Sequence, residues 1–364
     1  MKILYVSAIE GGKHTGPYYS VPNQIGAQEK VDQIYWVNLT DINKENLLRK
    51  DLYHQKSIRT FDIDKLPKPF NNPDLVVFEE FFKIPNALFA RKLVRKQIPY
   101  VIIPRSQMTT QYLMHKRFKK QIASVALFHT FAKKASAVQF LTDKELQDSK
   151  KFYDGKSFVV PNGIYLPDIN VSNYTTNNNG YTGTFIGRYS IYQKGLDLLI
   201  EAVNLKRDNL KNNHISIQLY GPNDRTSFPL EVKEMVKKKE LEEIIKVNGP
   251  VFDEQKKQIL KQSDFFIHTS RFEGLPMSVL DALSFGVPCL VTDGSNMRNK
   301  IDEFEAGWGS ETSVEGVAKA FDSLISDLPK MNEKSINARK LAKEYSWEKI
   351  SVLSHERYQE LLRK

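Results

Sequence analysis

Short apolar runs alternate with longer stretches whose apolar positions return every three or four residues, and this alternation holds along nearly the whole chain. Residues 2–8, rich in Ile, Leu, Tyr and Val, predict an opening strand, and Glu10-Gly11-Gly12 punctuates its end. Further strands are predicted at 33–37, 75–78, 100–103 and 137–141. Helices fall between several of them, for example over 86–97 and 143–152. Alternating strands and helices imply a parallel sheet covered by helices.

After Phe158-Val159-Val160 the segment PNGIYLPDINVSNYTTNNNG sustains neither period and reads as a linker. A second series follows, with strands at 183–186, 215–220, 244–247, 264–268 and 288–292. The helices between them are predicted over 195–204, 230–239, 254–262 and 277–285. The fold class is therefore α/β, with two Rossmann-like doubly wound domains in tandem: residues 1–165, a linker at 166–180, and residues 181–345. Open parallel sheets bind ligands beyond the carboxyl ends of their strands, so two such sheets facing each other predict an interdomain cleft.

Composition narrows the class. Of 364 residues, 41% are hydrophobic and 26% charged, which excludes disorder, a disulfide-stapled scaffold and a collagen-like repeat. No window reaches the roughly 18 to 20 apolar residues of a membrane span, and the start MKILYVSAIEGG lacks the apolar core and cleavage site of a signal peptide. Cys289 is the only cysteine, so no internal disulfide forms. A cytoplasmic protein is the expectation.

The net charge of +10 is localised: residues 91–156 hold fifteen basic and four acidic side chains, and the remainder is near neutral. Such a face implies a polyanionic partner or merely a solvated surface. A predicted helix starting near Tyr112 mixes Tyr112, Leu113, Met114 and Phe118 with Lys116, Arg117, Lys119 and Lys120. That mixture suits an anionic membrane surface, and equally a packed apolar side with a wet basic side. A nucleic-acid partner is not expected, because no reader module or stacking platform is present. No G-x-G-x-x-G follows the first strand, which argues against a dinucleotide oxidoreductase.

Two stretches carry chemistry. In FIGRYSIYQKGLDLLIEA, Gly187 ends a strand, a polar loop carries Arg188 and Lys194, and Gly195 opens a helix. Two cations at a strand's carboxyl edge are placed to neutralise a diphosphate, although either could instead be solvated or paired. In IHTSRFEGLPMSVLDALSFGVPCLVTD, a strand runs into Glu273-Gly274-Leu275-Pro276 and a helix starts, with Asp281 a little over two turns beyond Glu273. Gly274 permits close backbone approach, and Pro276 suits a first helical turn. His14, His115, His129 and His268 are too scattered for a metal signature.

Glu273, seven intervening residues and a second acid, together with GR…KG about 85 residues earlier, resemble family 4 of the retaining glycosyltransferases, which have the GT-B fold. VPNG at 160–163 and NGPVFDEQKKQILKQSDFFIHTS extend the resemblance over nearly the whole chain. It implies metal-independent transfer of a sugar, with retention, from a nucleotide-sugar donor to a glycan or lipid-linked acceptor in surface polysaccharide assembly. A UDP-sugar is favoured, no cofactor is required, and the acceptor attacks the face that the diphosphate leaves.

By position, Arg188 and Lys194 would hold the diphosphate, Glu273 the donor sugar and Asp281 the ribose, with Arg188, Lys194 and Glu273 forming the catalytic group. Gly12, Arg105, Gly187, Gly221, Val251, Gly274, Leu275, Pro276 and Met277 complete the implied donor site. Asp281 departs from the usual Glu of the family, and Arg105 stands where some relatives carry His. A catalytically weak sugar-nucleotide-binding subunit that scaffolds a partner transferase is the alternative. The amphipathic terminal stretch 346–364 would cross back onto the first domain, as in the family, and residence on the inner face of the plasma membrane is the corresponding localisation.

Overall fold

The computed structural model describes residues 1–9, 16–40, 51–56, 61–110, 122–169, 180–222 and 228–363. Gly12, most of the linker expected at 166–180 and the basic stretch from Tyr112 to Lys120 lie outside the described residues. The chain divides into two compact units, one made of Met1–Gly163 with Trp347–Lys364 and the other of Ile164–Ser346.

The first unit is a parallel sheet of seven strands: β1 Lys2–Ser7, β2 Gln33–Asn38, β3 Tyr53–Gln55, β4 Leu75–Glu79, β5 Tyr100–Ile103, β6 Ala137–Phe140 and β7 Ser157–Val159. Their order is β3-β2-β1-β4-β5-β6-β7. Continuous apolar runs such as LVVFE and YVII are fully buried, as expected for strands covered on both faces. Phe78, Tyr100 and Phe131 pack edge-on and stacked within the core. Helix Gly16–Gln28 was not legible in the pattern because it contains Pro22 and two glycines, yet most of it is buried. The C-terminal helix Trp347–Leu362 packs against it. Tyr358 anchors that helix by donating to Oε1 of Gln139 at 2.7 Å.

The second unit is a six-stranded parallel sheet: β8 Tyr181–Ile186, β9 Ile215–Tyr220, β10 Ile245–Asn248, β11 Phe265–His268, β12 Cys289–Thr292 and β13 Gly307–Ser310. The order β10-β9-β8-β11-β12-β13 reverses direction between β8 and β11. The connections after those two neighbours diverge, which opens a crevice at their carboxyl ends. Strand β13, sequence GWGS, carries no alternation and was not expected; it is defined by its register along β12. The α/β class and the two Rossmann-like domains are as the sequence implied, and the fold is of the GT-B type.

Arg105 does not offer an open cation. It adopts a left-handed backbone, φ 50°, and its side chain is 6% exposed. Its Nε donates to Oε2 of fully buried Glu79 at 2.7 Å, and its two Nη groups donate to Ser20, Asn162 and Gln24. Within this unit the guanidinium pairs with a carboxylate at the end of β4 and holds Asn162 just before the chain leaves it.

Removing one partner of a buried pair leaves an uncompensated charge, so Arg105→Met should destabilise the protein by about 3–5 kcal/mol in urea unfolding. A change below about 1 kcal/mol would mean that the pair contributes little to holding this unit together.

Candidate functional site

The site is built in the second unit from the connections that follow β8 and β11. After β8 the chain passes Gly187 and Arg188, forms the short helix Ile191–Lys194, and turns at Gly195 with φ 61°. A Cβ at Gly195 would lie 2.0 Å from the carbonyl oxygen of Thr269, so only glycine brings this turn against the end of β11. Thr269 Oγ1 lies 3.0 Å from the carbonyls of both Lys194 and Gly195 and can donate to either.

Arg271 completes the join. Its backbone N–H donates to Gln193, and its guanidinium grips both oxygens of Asp197 at 2.7 and 2.5 Å. The same group donates to the Tyr192 carbonyl and stacks 4.5 Å from the Tyr192 ring centroid. A planar fork can do all of this at once, whereas an ammonium cannot.

These joins bring Lys194 to Glu273, with Nζ 2.5 Å from Oε1. Ser270 Oγ donates to the same Oε1 at 3.0 Å and lies 3.1 Å from Nε2 of His268. His268 is fully buried, and burial lowers its pKa, so the ring is neutral. Among the described residues its Nδ1 has no hydrogen-bond partner. The single ring proton therefore belongs on Nε2, and donation runs from His268 through Ser270 to Glu273. Burial alone would raise the Glu273 carboxyl, but the Lys194 ammonium overcomes it and holds the group well below the usual carboxylate range. Oε2 of Glu273 has no partner among the described residues, so a constrained anionic acceptor is left open beside a fixed ammonium.

Behind this pair, the turn after β12 supports the acidic loop. Thr292 Oγ1 donates to the Ser270 carbonyl at 2.6 Å, and Asn296 donates to the carbonyls of Glu273 and Gly274. Helix Met277–Ser284 then starts, with Pro276 at its extended cap position rather than inside its first turn, and no side chain caps it. Leu275 is buried beneath the loop. Gly221 lies so close to the Gly187 carbonyl that a Cβ would sit 2.1 Å from it. Buried Tyr189 donates to the carbonyls of Leu219 or Asn248, both within 2.8 Å, which ties together the ends of β9 and β10. Val251 follows β10 in the next connection.

Arg188 is exposed and has no ion-pair partner among the described residues. Asp281 does not join the Lys194–Glu273 pair; it forms an ion pair with Lys256 of helix Asp253–Lys261. Arg188, Lys194, Glu273 and Asp281 thus all belong to one unit, while Arg105 is committed elsewhere. Sequence reasoning missed Arg271, Asp197, Asn296, Ser270 and Lys256. The SR preceding FEG was a usable signal, since a loop arginine one turn from an acidic motif calls for a partner.

Two surface hollows, of about 490 and 550 Å³, lie around Asp327 and Asp32 and include none of these residues. Among the described residues no group of three or more His, Cys, Asp or Glu side chains is gathered as metal ligands. No helix among them is long and apolar enough to cross a membrane.

The depressed Glu273 pKa fixes the sign of a pH effect. A group held below its unfolded value of about 4.5 contributes stability above that value and loses it as pH falls toward the folded one. The stability difference between wild type and Glu273→Gln in urea titrations should be constant at about pH 6–8 and shrink steadily below about pH 5. A pH-independent difference would remove the ion pair as its cause.

Comparison with known proteins places this geometry. Residues 170–341 match the family described as Glycosyl transferases group 1. A mannosylfructose-phosphate synthase of Agrobacterium fabrum is 30% identical over 102 residues, covering 27% of this chain and 22% of that protein. The capsular polysaccharide biosynthesis glycosyltransferase CapH of Staphylococcus aureus is 25% identical over 203 residues, covering 56% and 54%. The chain thus spans about a fifth and about half of these two relatives. The crystal structure of Alr3699/HepE from Anabaena in complex with UDP shares the fold, with a TM-score of 0.76 over 99% of this chain and 100% of that one at 15% identity. The Lys194 and Glu273 loops both fall within the segment that is similar to the group 1 glycosyl transferases, on a chain with the GT-B fold.

Proposed function

We propose that this protein is a retaining glycosyltransferase that moves a sugar from a nucleotide-diphosphate donor of the UDP-sugar class to a glycan or lipid-linked acceptor in surface polysaccharide assembly. The observation that carries this reading is the Lys194–Glu273 pair at the β8/β11 switch point, with exposed Arg188 on the same connection. The names of the relatives support it: CapH is a glycosyltransferase of capsular polysaccharide biosynthesis, and HepE was solved in complex with UDP.

In this reading the donor diphosphate draws the Lys194 ammonium, and the exposed Arg188 fork closes on the phosphate oxygens. As the glycosidic bond breaks, negative charge grows on the departing diphosphate. Preset cations favour that change without reorganising. Glu273, kept ionised by its surroundings, accepts hydrogen bonds from donor-sugar hydroxyls through its open oxygen. The reaction proceeds by attack of the acceptor on the face vacated by the diphosphate, and the two cations supply the charge stabilisation without a metal. The basic segment 91–156 would meet an anionic membrane surface where the acceptor is lipid-linked.

Titration calorimetry with UDP should give saturable binding, and transfer assays with a panel of UDP-sugars should give turnover. Lys194→Ala should lower turnover by about a hundredfold, as removal of one preorganised charge-stabilising group does. Arg188→Ala should cost less and more so at low salt, because its charge is solvent-screened. Unchanged turnover in Lys194→Ala would end the diphosphate assignment, and UDP binding without any donor turnover would replace a transferase with a donor-binding subunit.

A further inference from the structure

His268 closes β11 directly behind the Lys194–Glu273 pair, and both it and Ser270 are fully buried. The imidazole lies nearly parallel to the rings of Phe185 and Phe266, each with its centroid 6.5 Å away. Its Nε2 is 3.6 Å from Oε1 of Glu273, too far for a hydrogen bond, but only 3.1 Å from Ser270 Oγ, which in turn is 3.0 Å from that Oε1. The histidine therefore reaches the carboxylate through the serine. The site of its proton decides what it does there. A proton on Nδ1 would bury a donor that has no partner among the described residues, and would turn the serine hydroxyl toward Nε2 and away from Glu273. A proton on Nε2 occupies a lone pair of Oγ and leaves the hydroxyl proton aimed at Oε1.

Building on the donor reading above, we propose that His268 and Ser270 are positioning residues that lock Glu273, so that Oε1 is spent inside the protein and Oε2 is the oxygen offered to the donor sugar. A carboxylate held by one flexible ammonium can still swing about that contact. A second donor, rooted in a buried ring at the end of a central strand, removes this freedom. Imidazole suits the task because it supplies an N–H without a second charge: burial and the nearby Lys194 ammonium keep it neutral. A ring that only fills space beside two phenylalanines would do its work without any donor, so removing the donor and removing the ring must have opposite consequences in the two cases.

Two substitutions in the full chain separate these roles. His268→Phe keeps a flat ring and loses the donor, whereas His268→Gln loses the ring and keeps an N–H near the place of Nε2. Nucleotide release from a panel of UDP- and GDP-sugars is followed beside UDP calorimetry and thermal melting. His268→Phe and Ser270→Ala should each lower kcat about ten- to a hundredfold, the effect of a misplaced binding group, without lowering the melting temperature. Both should keep UDP affinity within about threefold, because UDP lacks the sugar that Glu273 meets. His268→Gln should restore most of kcat even if it melts lower. The reverse pattern, an active His268→Phe and an inactive His268→Gln, overturns the positioning role and leaves the donor reading standing. Histidine-selective nitrogen NMR of wild type should show one ring, absent from His268→Phe, protonated on Nε2 alone from about pH 6 to 8. A proton on Nδ1 overturns the proposal whatever the variants do. A wild-type protein that binds neither UDP nor GDP and releases nucleotide from no sugar of the panel overturns both readings.

Discussion

The second unit depends on one short contact, the ammonium of Lys194 against the carboxylate of Glu273. These residues are 79 positions apart and come from connections that leave adjacent strands in opposite directions. A parallel sheet places the two loops side by side but does not aim their side chains. That is done by Gly195, which lets the first loop press on Thr269, and by Arg271, which fastens to Asp197 and the Gln193 and Tyr192 carbonyls. The pair is therefore set by backbone geometry before any ligand arrives. Holding opposite charges in partial burial keeps Glu273 ionised and Lys194 in place, the condition for acting on a charge that develops later.

The two sheets treat the same chemistry differently. In the first unit, Glu79 and Arg105 also stand at strand ends, yet Arg105 spends its donors on Glu79, Ser20, Asn162 and Gln24, and the Glu79 side chain is wholly buried. In the second unit, one oxygen of Glu273 and the whole of Arg188 are left for something else. An enclosed network of this kind ties elements of a fold together, whereas exposed groups at a strand edge are open to a ligand. Burial and partner count, rather than residue type, thus separate the enclosed Arg105 from the exposed Arg188.

This difference explains what the sequence disclosed. The strands with uninterrupted apolar runs were legible, as were most helices of the second unit, because burial on both faces leaves a pattern that survives without tertiary information. Helix Gly16–Gln28 and strand β13 were not, since Pro22 and the glycines of GWGS erase the periodicity and only packing defines those elements. Lys194 and Glu273 were found through spacing and resemblance. The partners of Arg105 were not legible, because a strand-end arginine has the same sequence whether its fork faces a ligand or a buried carboxylate. Asp197 and Asn296 serve through hydrogen bonds to residues distant in the chain, and no local pattern records such bonds.

Asp281 illustrates the remaining step from residue identity to pairwise chemistry. Taken singly, aspartate for glutamate is a loss of reach at a contact that tolerates little. In the fold it is paired with Lys256, so its carboxylate is held by a neighbouring ammonium from another helix. Departures from a family pattern are then best weighed against the neighbours that the fold supplies, because a substitution that weakens one contact can be the condition for another.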